Sequence, residues 1–297
     1  MIKNWADIIS IARQSRSRTV IVAGAADKAI LGALRLAAGQ GLIRPVLVDT
    51  AEQFKLCRDD PPVADWTLVE VPAATIATEA VRLVREQSGA LLMKGRISTA
   101  ELIKAALNRI DGIRGGKRLS HVAAVETPGY HKLLFITDGG INLHPNAEAL
   151  TDITANAIEL VRRLGIERPR TALVALVETV SPQIRSTITA REVAARFPRE
   201  IIEGPVSIDI ALSRAAAVAK DFTSRIAGET DILVMPNATA CNVVVKALRL
   251  VGGGRIGGVV LGAQTPILLV SRSDDANSKL RSIALGIAYQ NSFDQTE

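Results

Sequence analysis

TVIVAG (Thr19–Gly24), followed by AADKAILGALRLAAGQG and then by PVLVD (Pro45–Asp49), is the stretch that decides the fold. The first segment is a β-branched apolar run that stops at a glycine. The second spaces its apolar residues as a helix does, and the third is apolar again. Strand, helix and strand in direct succession make a βαβ unit, and the crossover forces the two strands parallel. The alternation continues outward through TLVEV, the helical TEAVRLVREQ, the strand ALLM (Ala90–Met93) and a helix from about Thr99 to Arg109. The class is therefore α/β.

Between Leu119 and Asp138 the rhythm breaks. SHVAAVETP and KLLFITD are both strand-like, and the short Pro-Gly-Tyr-His turn between them leaves no room for a helix, so a hairpin is expected. A helix over Asn146–Leu164 follows, then the strand TALVALV and another strand at Ile232–Met235. A close pair of strands, GGVVLG and TPILLVS, precedes a helix over Ser278–Gln290. Two α/β lobes are predicted, residues 1–140 plus 261–297 and residues 141–260, with the last helix returning the chain to the first.

A chain of 297 residues suffices for two such lobes. It is 48% hydrophobic but only 3% aromatic, so the core is aliphatic and the surface lacks the stacking platforms that bind single-stranded nucleic acid. The net charge of +6 is dispersed, with 36 basic residues interleaved among 30 acidic ones, which suits a small phosphate-bearing ligand. Cys57 and Cys241 stand far apart and form neither a disulfide framework nor a metal cluster. No apolar run approaches the roughly 20 residues that span a bilayer. These features predict a soluble, cytoplasmic protein without membrane or nucleic-acid partners.

Several short motifs carry polar groups to strand ends. Gly252-x-Gly254-x-x-Gly257 matches a dinucleotide fingerprint in form, but a helix precedes it and a strand follows, the reverse of the required order; it reads as a helix-to-strand loop. In MKGRIST (Met93–Thr99), Ser98 and Glu101 have capping-box spacing. Lys94, ahead of Gly95 where a strand runs out, is either a phosphate contact or only a strand-end lysine. ITDGGINLHPN (Ile136–Asn146) offers Thr137 and Asp138, as cleft groups or as a turn that bonds its own backbone, and His144, as a base or a capping residue. EGPVSIDIAL (Glu203–Leu212) sets Asp209 in the first turns of a helix. VMPNATACNVVVK (Val234–Lys246) sets Asn237 past a strand, and Asn242 and Lys246 on one helix face, aimed at a cleft or at solvent. In LLVSRSDDANSK (Leu268–Lys279), Ser271 and Arg272 end a strand. A guanidinium fork there suits phosphate oxygens and a hydroxyl can donate to a developing anion, the alternative being a cap and a surface arginine.

Those stretches in that order, MKG, ITD-glycine with NLHP, EGPVSIDIAL, AGETDILVMPN with ACNVVVK, then SRSD, resemble the phosphate acetyl/butyryltransferase family from about residue 15 to 290. The resemblance implies two α/β lobes around a cleft, similar in architecture to isocitrate/isopropylmalate dehydrogenases, commonly in homodimers. It implies exchange of an acyl group between coenzyme A, a co-substrate rather than a bound cofactor, and inorganic phosphate, with no metal. Ser271 and Arg272 match the family's Ser-Arg pair at the acyl phosphate, and Lys94, Thr137, Asp138, Asp209, Asn237, Asn242 and Lys246 fall on its substrate-binding stretches. The acetyl branch follows the pair with Gly and, seven positions after the Ser, an Asp proposed to deprotonate the coenzyme A thiol. Ser273 and Ser278 stand there instead, a pattern closer to the butyryl branch; Ser278 is counted with Ser271 and Arg272 as a catalytic candidate, and no general base is assigned. Two rival readings remain: a metal- and nicotinamide-dependent decarboxylating dehydrogenase on the related fold, and a non-catalytic acyl-CoA-binding regulator.

Overall fold

The computed structural model describes residues 2–57, 63, 65–271 and 274–294. The chain divides into two compact units, residues 6–117 with 257–297 and residues 1–5 with 118–256.

The first unit begins with helix α1 (Trp5–Arg13) and the predicted βαβ: β1 (Arg18–Ala23), α2 (Lys28–Gly39) and β2 (Ile43–Asp49). Helix α2 starts where Asp27 accepts hydrogen bonds from the Ala29 and Ile30 amides at 3.0 and 3.1 Å, satisfying N–H groups that lack an intrahelical partner. Next come α3 (Ala51–Lys55), β3 (Thr67–Glu70), α4 (Ile76–Glu86), β4 (Leu91–Lys94) and α5 (Thr99–Ala106). The expected capping box opens α5: the Glu101 amide donates to Ser98 Oγ and the Ser98 amide to Glu101 Oε2. The unit is completed by β10 (Arg255–Leu261), β11 (Ile267–Leu268) and α11 (Ala276–Asp294). Its strand order is β3-β2-β1-β4-β11-β10, and every pairing is parallel except β10 with β11. Strands β1 and β4 are buried on both faces, as continuous apolar runs in a parallel sheet must be. Gly286 lets α11 lie close on the sheet, since a Cβ there would stand 2.7 Å from a Leu268 methyl carbon.

The second unit contains β5 (Ser120–Glu126), β6 (Leu134–Thr137), α6 (Ala147–Arg163), β7 (Arg170–Val174), α7 (Arg185–Ala195), β8 (Ile201–Val206), α8 (Ile208–Leu212), α9 (Arg214–Ala219), β9 (Ile232–Val234) and α10 (Ala238–Leu250). Its order is β5-β6-β9-β7-β8, parallel except for the β5–β6 hairpin. The sequence reading puts that hairpin in the first lobe. Here it clusters with residues 118–256, because β6 pairs along β9, Phe135 opposite Ile232 and Thr137 opposite Val234. The core of this unit joins Val125, Leu134, Ile136, Leu233 and Cys241 with Val206 and Ile210, and is aliphatic as the composition predicts. Among the described residues no helix is long and apolar enough to cross a membrane.

Candidate active site

In open parallel sheets, ligands bind beyond the carboxyl ends of the strands, where successive crossovers diverge to opposite sides. In the first unit the chain steps from β1 outward to β2 and β3, then returns to lay β4 on the other side of β1. The divergence point is therefore the pair of loops after β1 and β4. They interlock: Gly95 N donates to Ala23 O at 2.8 Å and Arg96 N to Gly24 O at 2.6 Å. A Cβ on Gly95 would fall 1.9 Å from the Gly24 carbonyl oxygen, so only glycine fits. Lys94, the last residue of β4, is buried and turns back to donate to the Gly95 and Ile97 carbonyls at 3.1 and 3.4 Å. The ammonium thus braces this loop with its own hydrogen bonds.

Strand β11 is the next neighbour of β4; it ends at Leu268, so Ser271 stands three residues beyond the strand rather than ending it as the sequence reading has it. Arg272 and Ser273 lie outside the described residues. Ser271 is exposed, and its amide donates to Asp274 Oδ2 at 2.7 Å. Asp275 caps α11, accepting from the Ser278 amide at 2.7 Å. Ser278 is buried in the first turn of that helix, where its hydroxyl accepts from Arg281 at 3.4 Å. Lys279 completes the arrangement and was missed by the sequence reading. Only 2% of it is exposed, and Nζ donates to the Ser271 carbonyl at 3.2 Å and to the Asp274 carbonyl. A lysine directly after the Ser278 position, in the first turns of a helix packed on the sheet, was the available signal. Burial takes Nζ out of water, and the Ser271 and Asp274 carbonyls accept the hydrogen bonds it then needs.

In the second unit, Thr137 and Asp138 end β6. Both are buried, and the turn reading of Asp138 is the one the coordinates follow: Oδ1 accepts from the Gly140 and Ile141 amides, and Oδ2 from the amide and side chain of Asn142, all between 2.7 and 3.1 Å. Thr137 Oγ1 donates to His121 O at 2.8 Å. Asn242 reaches the same loop, its Nδ2 lying 3.3 Å from Gly139 O. Cys241 is packed beside it, and burial together with the nearby Asp138 charge pushes its thiol well above the usual range. Cys241 is therefore a packing residue, not a nucleophile. Lys246, four residues beyond Asn242, is exposed and has no hydrogen bond or ion pair among the described residues.

Asn237 caps α10 through the Ala240 amide at 2.9 Å and, with His144, lines a cavity of ≈ 350 Å³ beside the ends of β7 and β9. Asp209 stands elsewhere, past the end of β8. Hydrogen bonds from Ser207 and Lys220 hold its carboxyl down to about 2. Lys220 lies 2.9 Å from Asp209 and 3.1 Å from Glu178, which also accepts from Ser207. Burial raises Glu178, but the hydrogen bonds from Ser207 and Lys220 outweigh it and keep the carboxylate below its ordinary value. Glu178, Ser207 and Lys220 come from three separate stretches, so only the fold reveals them as one network around Asp209.

The phosphate acetyl/butaryl transferase family model matches residues 62–287. A phosphate butyryltransferase of Clostridium acetobutylicum is 34% identical over 96% of this chain and 97% of its own. A phosphate acetyltransferase of Rhizobium meliloti is 37% identical over 95% of this chain and 92% of its own. Among solved structures, a branched-chain phosphotransacylase from Enterococcus faecalis V583 superposes with a TM-score of 0.83 at 33% identity, covering 92% of this chain and 99% of that one.

Proposed function

Because the chain belongs to the phosphate acetyl/butyryl transferase family, and so is a phosphate acyltransferase, we propose that it moves a short acyl group longer than acetyl between coenzyme A and inorganic phosphate at the Ser271–Arg272 turn. In the direction of acyl phosphate formation, a phosphate oxygen attacks the thioester carbonyl, a tetrahedral oxyanion forms, and the carbon–sulfur bond breaks to release coenzyme A thiolate, which takes up a proton. Two groups are needed: a cation for phosphate and a donor for the developing negative charge. Arg272 is the cation, a planar fork matched to phosphate oxygens, and the Ser271 hydroxyl is the donor. Both halves of the exchange run through one ternary complex.

The observation that carries this assignment is the buried Lys279, whose ammonium ties down the Ser271 and Asp274 carbonyls on either side of Arg272. Fixing the residues that flank Arg272 in sequence limits how far this segment reorganises during the reaction, which supports the assignment. Lys94, Asn242 and Lys246 are proposed as substrate contacts, as the resemblance implies, and Asp138 as the residue that shapes its own loop. We place Asp209 in a structural network rather than on the reacting atoms, since its oxygens already serve Ser207 and Lys220. The enzyme is proposed to work as a cytoplasmic homodimer.

The test is release of coenzyme A from butyryl-CoA in the presence and absence of phosphate. Turnover should require phosphate. Arg272→Ala should cut kcat/KM for phosphate at least 100-fold with an unchanged circular dichroism spectrum, and Arg272→Lys should restore little of it, because a point charge does not reproduce the fork. Wild-type kinetics in the alanine variant would remove Arg272 from the site.

A further inference from the structure

The cavity beside β7 and β9 lies wholly in the second unit, and its ≈ 350 Å³ belongs to the size range of small-molecule sites, about 300–1,000 Å³. Its floor is made by aliphatic side chains of β7, β9 and α6, while its walls carry Arg185, Ser186, Thr189, His144, Asn146 and Asn237. The hydrogen-bonding state of these wall groups is uneven in a telling way. Asn146 and Asn237 use their side-chain oxygens as helix caps, accepting from the Ala149 and Ala240 amides at 2.9 Å each, and neither amide Nδ2 has a partner among the described residues. Arg185, Ser186, Thr189 and His144 likewise have no side-chain hydrogen bond or ion pair among the described residues.

Among the described residues no carboxylate lines the cavity. Glu148 and Glu192 border an adjoining recess that Arg185 also touches, but neither is within ion-pair distance of its guanidinium. The walls therefore offer one permanent positive charge and a set of hydroxyl and amide donors. That combination repels cations and gives a neutral apolar ligand nothing to exchange for the water that these exposed and half-buried donors otherwise hold. An oxyanion satisfies them.

We propose that this cavity is an anion site that receives a phosphate group, with Arg185 supplying the charge and Asn146, Asn237, Ser186 and Thr189 supplying neutral donors. A bare oxyanion fills only part of the volume, and the aliphatic floor suits a phosphate carried on an organic body. Under the acyltransferase reading, on which the choice of source rests, coenzyme A presents such a group through its nucleotide phosphates and is the expected source, since that reading seats inorganic phosphate on Arg272; inorganic phosphate is the alternative the experiment distinguishes.

The experiment compares the wild type with Arg185→Met and with the Ser186→Ala/Thr189→Ala double variant. All three are titrated calorimetrically with inorganic phosphate and with adenosine 3′,5′-bisphosphate, and steady-state kinetics are measured with butyryl-CoA and with its 3′-dephospho analogue. Arg185 is exposed, so the substitution leaves the core untouched, and matching circular dichroism melts verify this. For Arg185→Met we expect about a tenfold rise in one KM with kcat within about twofold, the loss of one charge-assisted contact. A rise confined to butyryl-CoA, absent with the dephospho analogue, supports the site with the nucleotide phosphate as source. A rise confined to phosphate supports it with inorganic phosphate as source. If both KM values and both titrations match those of the wild type, the site is overturned. If the wild type shows no acyl transfer, the proposed function fails separately and the titrations alone decide: weaker binding in Arg185→Met supports the cavity, equal binding overturns it.

Discussion

Under the proposed function, Lys279 is a positioning residue for the Ser271–Arg272 pair rather than a contact to substrate. Its ammonium is buried and donates to the carbonyls of Ser271 and Asp274. Lys279→Met deletes hydrogen bonds of a charged donor, each worth about 1.5–3 kcal/mol, but also relieves the desolvation of a buried amine. The net effect on stability is thus small compared with the effect on geometry. We expect kcat to fall at least tenfold while the melting temperature moves only a few degrees; a variant that keeps full turnover would show that the turn holds its shape without the lysine. Asp209 provides a pH prediction of defined sign. Its folded pKa, about 2, is depressed from the ordinary 3.8, so its contribution to stability is complete above about pH 4 and is lost as pH falls toward 2. The difference in melting temperature between the wild type and Asp209→Asn should therefore shrink over that interval. Because Asp209 and Lys220 are both about half exposed, solvent screening keeps the whole difference modest.

At the scale of elements, local signals and tertiary ones separate cleanly. The Ser98–Glu101 capping box was legible because capping is a matter of a few consecutive residues, whereas Asn146, expected inside its helix, is the cap that starts it. Ser98→Ala should lower stability by about 1 kcal/mol, read from a denaturant melt, with little change in turnover. The interlock of Gly24 and Gly95 was not legible, since it joins residues on two strands and depends on how closely β1 and β4 approach. Gly95→Ala places a methyl against backbone rather than against a movable side chain. It should destabilise by about 1–3 kcal/mol or more, and because the same loop holds Lys94, turnover should fall with it. The polar network of Glu178, Ser207, Asp209 and Lys220 is intermediate: Ser207 and Asp209 are neighbours in the chain and Asp209 stood out in the sequence, but Glu178 and Lys220, which follows α9, join them only through the fold.

At the scale of the whole molecule, the alternation of strand and helix carried the α/β class, and the short turn after Thr127 carried the hairpin. The partition into units was harder, because membership of the hairpin depends on its pairing with β9, about a hundred residues later in the chain. Substrate choice is likewise a property of the assembled pocket. Relatives at closely similar identity include a phosphate butyryltransferase and a phosphate acetyltransferase, so overall likeness does not rank the acyl chains. The position we propose as discriminating is Ser278, a serine where the resemblance implies an Asp in the acetyl branch; it is buried at the start of α11 with its hydroxyl facing Arg281. A carboxylate introduced there is tolerated electrostatically, since it sits in the first turn of a 19-residue helix and near a guanidinium. We therefore expect the wild type to favour butyryl-CoA over acetyl-CoA in kcat/KM. The margin has a ceiling set by the two added methylenes, each of which contributes roughly 1–3 kcal/mol at most in an apolar pocket. Ser278→Asp should narrow that margin by raising acetyl turnover while the protein remains folded. A panel from acetyl- to hexanoyl-CoA, run on both proteins at saturating phosphate, measures it; a wild-type optimum at acetyl-CoA would reject the butyryl preference and leave phosphate acyl transfer in place.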